Sequence, residues 1–178
     1  MISAHLLTLL IFTPLAGAVL LLFFRNETVV KSTAILFSAI DTFLAIYAYI
    51  SFSTTGNQFQ FVEKIPWITS LDISYHLGID GISLLLVSLT TLLTLISLVA
   101  SWNSIQKRVK AFNFFVLLLE TGMIGVFSSL DLFLFYIFWE AMLIPMYFII
   151  GIWGHERRVY AAIKFFIYTM FGSLLMLV

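Results

Sequence analysis

The sequence predicts an all-α fold, a polytopic transmembrane helical bundle, from three observations. The first is composition: 62% of the 178 residues are apolar and 10% are charged. A soluble domain runs at about 45–50% and about 25%, and a globule of this size cannot hide so much apolar surface from water. The second is segment length. Six apolar stretches can cross a hydrocarbon core about 30 Å thick at a helical rise of about 1.5 Å per residue. The third is a charge bias that alternates from loop to loop. The same numbers exclude other classes. Nine Lys+Arg against nine Asp+Glu leave no basic surplus for nucleic acid. The absence of cysteine removes disulfides, Fe–S ligation and thiolate zinc sites. The three histidines are scattered without metal-ligand spacing.

Taken in order, the spans lie near residues 6–24, 32–52, 81–101, 111–130, 132–153 and 159–178. The first carries no charge. No Lys or Arg precedes it, and it continues past the small residues Ala16, Gly17 and Ala18, so a retained helix fits better than a signal peptide. The second contains Asp41, with Ser38 and Thr42 beside it as local partners. The long connection from Ser53 to Asp80 carries Pro66-Trp67 and is of a length for a short hairpin. Asp80 is expected to cap the third span, with Gly81 and Ser83 in its first turn. The fourth span contains Glu120, followed by Thr121 and Gly122, a pairing that points to close helix packing. Asp131 is placed to cap the fifth span, where negative charge favours the helix dipole. That span contains Glu140 and Pro145, and Gly151 and Gly154 are expected to end it. Because Pro145 cannot donate to the carbonyl of Ala141, it should bend the helix one turn beyond Glu140. The sixth span contains Lys164 and is still apolar at Val178, so the 178 residues read as part of a larger bundle.

Arg25 and Lys31, then Lys107, Arg108 and Lys110, then Arg157 and Arg158 follow spans one, three and five. The remaining connections hold only Lys64. The positive-inside rule then puts the basic loops in the cytoplasm and the N-terminus outside. Trp102 and Trp153 fall at the expected interfaces.

The informative residues are charges in the wrong solvent. One at the bilayer centre costs about 2.5–3.5 kcal/mol on insertion scales. Asp41, Glu120 and Glu140 all fall near mid-span, so together they would cost roughly 8–10 kcal/mol if unpaired. A cation, a water-filled cavity or protonation must offset that. For Asp41 a neutral carboxyl bonding across a helix interface is the simpler reading; for Glu120 that reading and a functional one weigh equally. For Glu140 the kink and the freed carbonyl beside it favour function, because they give water and protons a place to sit. Lys164 is either a side chain snorkelling to the interface or a proton-relay cation. A direct Lys164–Glu140 bond is not expected, because the two differ in depth by about 10 Å at helical rise. The residues alone therefore point to proton or cation movement without saying what drives it.

The stretch Phe138-Trp139-Glu140-Ala141-Met142-Leu143-Ile144-Pro145-Met146-Tyr147 resembles the signature of the antiporter-like membrane subunits of respiratory complex I, the proton-pumping NADH:quinone oxidoreductase. Tyr160-Ala161-Ala162-Ile163-Lys164-Phe165-Phe166 is similar to the start of the family's next helix. His76-Leu77-Gly78-Ile79-Asp80-Gly81-Ile82-Ser83 is similar to its entry to the third. The resemblance implies a fourteen-helix antiporter-like fold built on an inverted repeat, of which six spans are seen here. It implies that Glu140 is the fifth-helix glutamate essential for pumping and that Lys164 is a basic position on the sixth helix. Asp41 and Glu120 match no family motif and stand as a possible proton path on position alone. The resemblance also implies no cofactor in this chain, with NADH, FMN, Fe–S clusters and quinone held by partner subunits. The implied surroundings are the other membrane and peripheral subunits and the lipid of a bacterial inner membrane. A multisubunit cation/proton antiporter or a membrane-bound hydrogenase is the competing assignment, and a purely structural membrane scaffold is a third.

Overall fold

The computed structural model describes residues 5–53 and 56–177. Val178, the expected end of the sixth span, lies outside the described residues. Six α-helices occupy the six apolar segments: α1 Leu6–Leu21, α2 Glu27–Ser51, α3 Gly81–Ser104, α4 Val109–Ser128, α5 Leu132–Trp153 and α6 Arg158–Leu177. Five of them, α2 to α6, are long and apolar enough to cross a membrane. The first differs from expectation. It ends at Leu21 after 16 residues, about 24 Å at helical rise. The apolar chain continues as tighter i→i−3 bonds, from Leu22 N to Val19 O, Phe23 N to Leu20 O and Phe24 N to Leu21 O at 3.1–3.3 Å, as helices often do at their ends.

Local chemistry explains most boundaries. Asn26 caps α2 through Thr28 N at 2.9 Å, so the helix begins before Lys31 rather than after it. Asp80 accepts from Ser83 N at 2.7 Å. Asp131 accepts from Phe133 N at 2.9 Å and Leu134 N at 3.1 Å. Gly154 stands just past the end of α5, but Gly151 lies inside that helix. A glycine without a break in the apolar pattern does not stop a helix whose neighbours pack it. Pro145 also lies inside α5, which runs on to Trp153.

The 53–80 connection holds an antiparallel hairpin, β1 Gln60–Ile68 and β2 Ile73–Ile79, with Lys64 opposite His76 and Ile65 opposite Tyr75. Asp72 makes its turn in the left-handed region at φ 54°, which Asp tolerates better than most residues. The hairpin covers one end of the bundle. Leu130 N donates to His76 O at 2.8 Å, and Leu77 and Ile79 are fully buried.

The opposite end is basic. Lys31 Nζ donates to Trp102 O at 2.6 Å, Lys110 Nζ to Leu22 O at 3.0 Å and Trp153 Nε1 to Lys107 O at 2.9 Å. These bonds gather the loops after α1, α3 and α5 at one end. Between the ends the core falls into two apolar clusters. Leu7, Ile11, Ala45, Val87 and Ile124 belong to the hairpin-side cluster. Ala18, Ala34, Leu98 and Leu117 belong to the basic-side cluster.

Candidate functional site

The gap between the two apolar clusters is polar. Along α2 it contains Ser38, Asp41 and Thr42, along α3 Thr91 and Thr94, and along α4 Glu120 and Thr121, all buried. Asp41 and Glu120 have no exposed surface. Ser38 Oγ donates to Glu120 Oε1 at 3.3 Å. Among the described residues, Glu120 Oε2 and both carboxyl oxygens of Asp41 have no hydrogen-bond partner. The expectation that Ser38 and Thr42 would satisfy Asp41 is therefore wrong. Ser38 turns to Glu120, and Thr42 Oγ1 lies 2.9 Å from Ser38 O and 3.2 Å from Thr91 O. Backbone carbonyls claim the Thr42 hydroxyl because a helical threonine reaches the preceding turn at little cost.

Glu140 sits apart from this layer, on α5 and half-buried against α6. Ser173 Oγ of α6 donates to Glu140 Oε1 and also lies 3.0 Å from Met170 O. Tyr136, one turn earlier on α5, lies beside the same carboxyl. Two glycines let α4 approach α5 closely. A Cβ on Gly122 would lie 3.2 Å from Met142 Cβ, and one on Gly125 would lie 2.4 Å from the Phe138 ring. Measured from the hairpin-side ends of their helices, Asp41, Glu120 and Glu140 are about 15, 12 and 12 Å deep at helical rise.

Lys164 is exposed on α6, with Nζ 5.7 Å from the centre of the Tyr160 ring. It lies nine residues from Ser173, about 13 Å along the helix, so it does not touch the Glu140 cluster. Ile163, Lys164, Ile167 and Phe171 line an open apolar face of α6, a cavity of about 700 Å³. No group of three or more His, Asp or Glu side chains converges as metal ligands would, among the described residues.

Three features were not read from the sequence. Ser173 holding Glu140 depends on a contact between helices, although a serine in an apolar segment is a visible signal. Tyr136 was legible as the i−4 neighbour of Glu140. The third is Glu63 of β1, which is buried and accepts from Leu7 N at 2.9 Å and Thr8 N at 3.2 Å as well as from the Thr8 hydroxyl. It caps α1 from 56 residues away, and no local pattern announces such a partner.

Apolar spans with carboxyls buried at mid-depth define a polytopic membrane protein that carries ionisable groups inside the bilayer. Residues 129–178 match the family described as NADH:quinone oxidoreductase/Mrp antiporter, TM. NADH-quinone oxidoreductase subunit M of Rickettsia typhi is 40% identical over 99% of this chain and 37% of its own length. NADH-ubiquinone oxidoreductase chain 4 of Arabidopsis thaliana is 41% identical over 94% of this chain and 34% of its own. A chain of respiratory complex I from Thermus thermophilus with bound NADH superposes with a TM-score of 0.83 at 26% identity, covering 96% of this chain and 34% of that one. The chain is thus related, over nearly its whole length, to the antiporter-like membrane subunits of NADH:quinone oxidoreductase, and among them to subunit M or chain 4. It spans about a third of the length of these relatives.

Proposed function

We propose that the protein is a proton-translocating membrane-arm subunit of an NADH:quinone oxidoreductase, coupling electron transfer from NADH to quinone to proton pumping. The observation that carries this reading is Glu140. It is an ionisable group midway along an apolar helix, held by the Ser173 hydroxyl and, among the described residues, paired with no cation. Such a carboxyl can take and release a proton, because hydroxyl partners stabilise both its charged and its neutral form. An intramembrane ionisable residue marks a transport path more often than a structural contact.

In this mechanism electrons never enter the chain. Redox energy released in partner subunits alters the electrostatic field around Glu140, and the carboxyl exchanges its proton in response. Lys164 acts at a distance, through field and water, since about 13 Å of helix separates it from Ser173. Asp41 and Glu120 extend the path toward α2. NADH, FMN, the Fe–S clusters and quinone are held by partner subunits, and this chain holds none. The setting is a bacterial inner membrane. The basic end of the bundle faces the cytoplasm and the N-terminus and hairpin face outward, as the positive-inside rule requires.

The test is Glu140→Gln in the full-length protein within its complex. Proton pumping in proteoliposomes should fall by most of its value while the complex still assembles. A wild-type ratio of protons to electrons would refute the reading. The matched family description also names the Mrp antiporter, so a multisubunit cation/proton antiporter or a related membrane-bound hydrogenase is the second reading. Copurification separates them: Fe–S and flavin subunits accompany the redox complex, and small antiporter subunits accompany the alternative.

A further inference from the structure

We propose that Asp41 and Glu120 together form a buried proton-binding site, separate from Glu140, in which an exchangeable proton is held on one of the two carboxyls. It deepens the proton-translocating reading by naming a second place where a proton rests.

The argument begins with satisfaction. Among the described residues, three of the four carboxyl oxygens in this pair have no partner, and neither side chain reaches the surface. The Ser38 hydroxyl supplies one long bond of 3.3 Å. Two carboxylates in that state would be two buried like charges, each costing several kcal/mol of lost hydration. Neighbouring carboxyls in such a site do not both ionise, and Ser38, one turn before Asp41 on α2, reaches Glu120.

Among the described residues no cation offsets the pair. The helices packed against it are α1, α3 and α5, and neither α1 nor α3 contains an ionisable side chain. On α5, Glu140 is engaged with Ser173, and Tyr136 lies one turn before it. Tyr147 is two turns further along, its ring against Phe148 and Phe166. Within α2, Lys31 is ten residues from Asp41, about 15 Å, and its Nζ is bonded to Trp102 O. Glu27 lies further toward the same end, and Tyr47 and Tyr49 lie toward the other, both exposed. Within α4, Lys110 is equally far from Glu120 and is bonded to Leu22 O.

The same inventory favours a proton over a metal cation. A hard cation takes about six oxygen ligands, and among the described residues no third carboxylate or histidine joins the two carboxyls as a metal ligand would. A proton needs only one carboxyl oxygen, and its O–H bond breaks as a new one forms on a water or on the other carboxyl.

Infrared difference spectroscopy on the full-length protein in its assembled complex tests the site. The spectrum of wild type minus the double variant Asp41→Asn/Glu120→Gln should contain a carboxylic-acid C=O band at neutral pH that moves down in D2O. Each single variant should shift that band. An unchanged acid region in the double variant overturns the proposal, as does a band that disappears on adding sodium alone. Ser38→Ala covers the case in which the charge variants fail to assemble. Losing its hydroxyl should move the band upward, and no movement overturns the site. Pumping is not part of this readout, so the site can fail while the Glu140 reading stands, and the reverse.

Discussion

Replacing Glu63 by Ala should unfasten the start of α1. The first turn of a helix leaves four N–H groups without helical partners, and His5, at the N-cap position, makes no side-chain cap. Glu63 does that work across the fold, taking Leu7 N at 2.9 Å, Thr8 N at 3.2 Å and the Thr8 hydroxyl, which Tyr75 also meets at 2.9 Å. Loss of a cap costs about 1–2 kcal/mol, and a partly buried charge at a helix end contributes up to about 2 kcal/mol. These overlap, and releasing a buried carboxylate recovers some hydration, so about 2–3 kcal/mol is expected. At about 1.4 kcal/mol per tenfold, amide exchange in the first turn of α1 should accelerate about 30- to 140-fold. The assay is hydrogen–deuterium exchange with mass spectrometry on the intact complex in nanodiscs. Glu63→Gln keeps one acceptor and should fall between wild type and Ala. His5 is 3.6 Å from Glu63 but 69% exposed, so His5→Ala should leave exchange nearly unchanged. Exchange within about threefold of wild type in Glu63→Ala would refute the cap.

Three further outcomes follow from the packing. Gly125→Ala puts a methyl group into the Phe138 ring and should lower stability by about 1–3 kcal/mol. Gly172→Ala, with nothing within 4 Å among the described residues, should be neutral; thermal midpoints of the detergent-solubilised protein compare the two. Burial works against the Asp131 charge, but the amides of Ser74, Leu134 and Phe133 outweigh it and hold the carboxyl below the usual aspartate range. Its contribution should therefore be complete above about pH 4 and fade as the pH falls through the lower folded value. Emission of Trp67, 6.5 Å from the Phe133 ring, should follow that loosening in a variant keeping only this tryptophan, and Asp131→Asn should abolish the titration. Lys31→Met removes a bond to Trp102 O and a cation–π contact at 5.6 Å. It should cost about 1 kcal/mol, read from the thermal midpoint with Lys31→Arg as partial rescue.

The helices were legible because each apolar run carries its own evidence. Length against bilayer thickness gives the number of spans, and Asp80 and Asp131 announce the starts of α3 and α5 by cap chemistry within three residues. The first span was read too long because hydropathy does not distinguish an α-helix from the tighter turn at Leu22–Phe24. The conspicuous charges were also legible, since an apolar background isolates Asp41, Glu120, Glu140 and Lys164.

Their partners were not, and Asp41 shows why. Its neighbours Ser38 and Thr42 have the right chemistry at the right spacing. Yet α4 brings Glu120 to Ser38, α3 brings a carbonyl to Thr42, and Asp41 is left with neither. Ser173 against Glu140, and Glu63 beneath α1, are likewise contacts between segments 33 and 56 residues apart. The sequence by itself determined which residues must leave water, where the helices lie and which groups would then be out of place. Only the tertiary structure decided which of those groups meet. Burial depends on a side chain's own transfer energy, but a hydrogen bond depends on where two separate helices put their atoms.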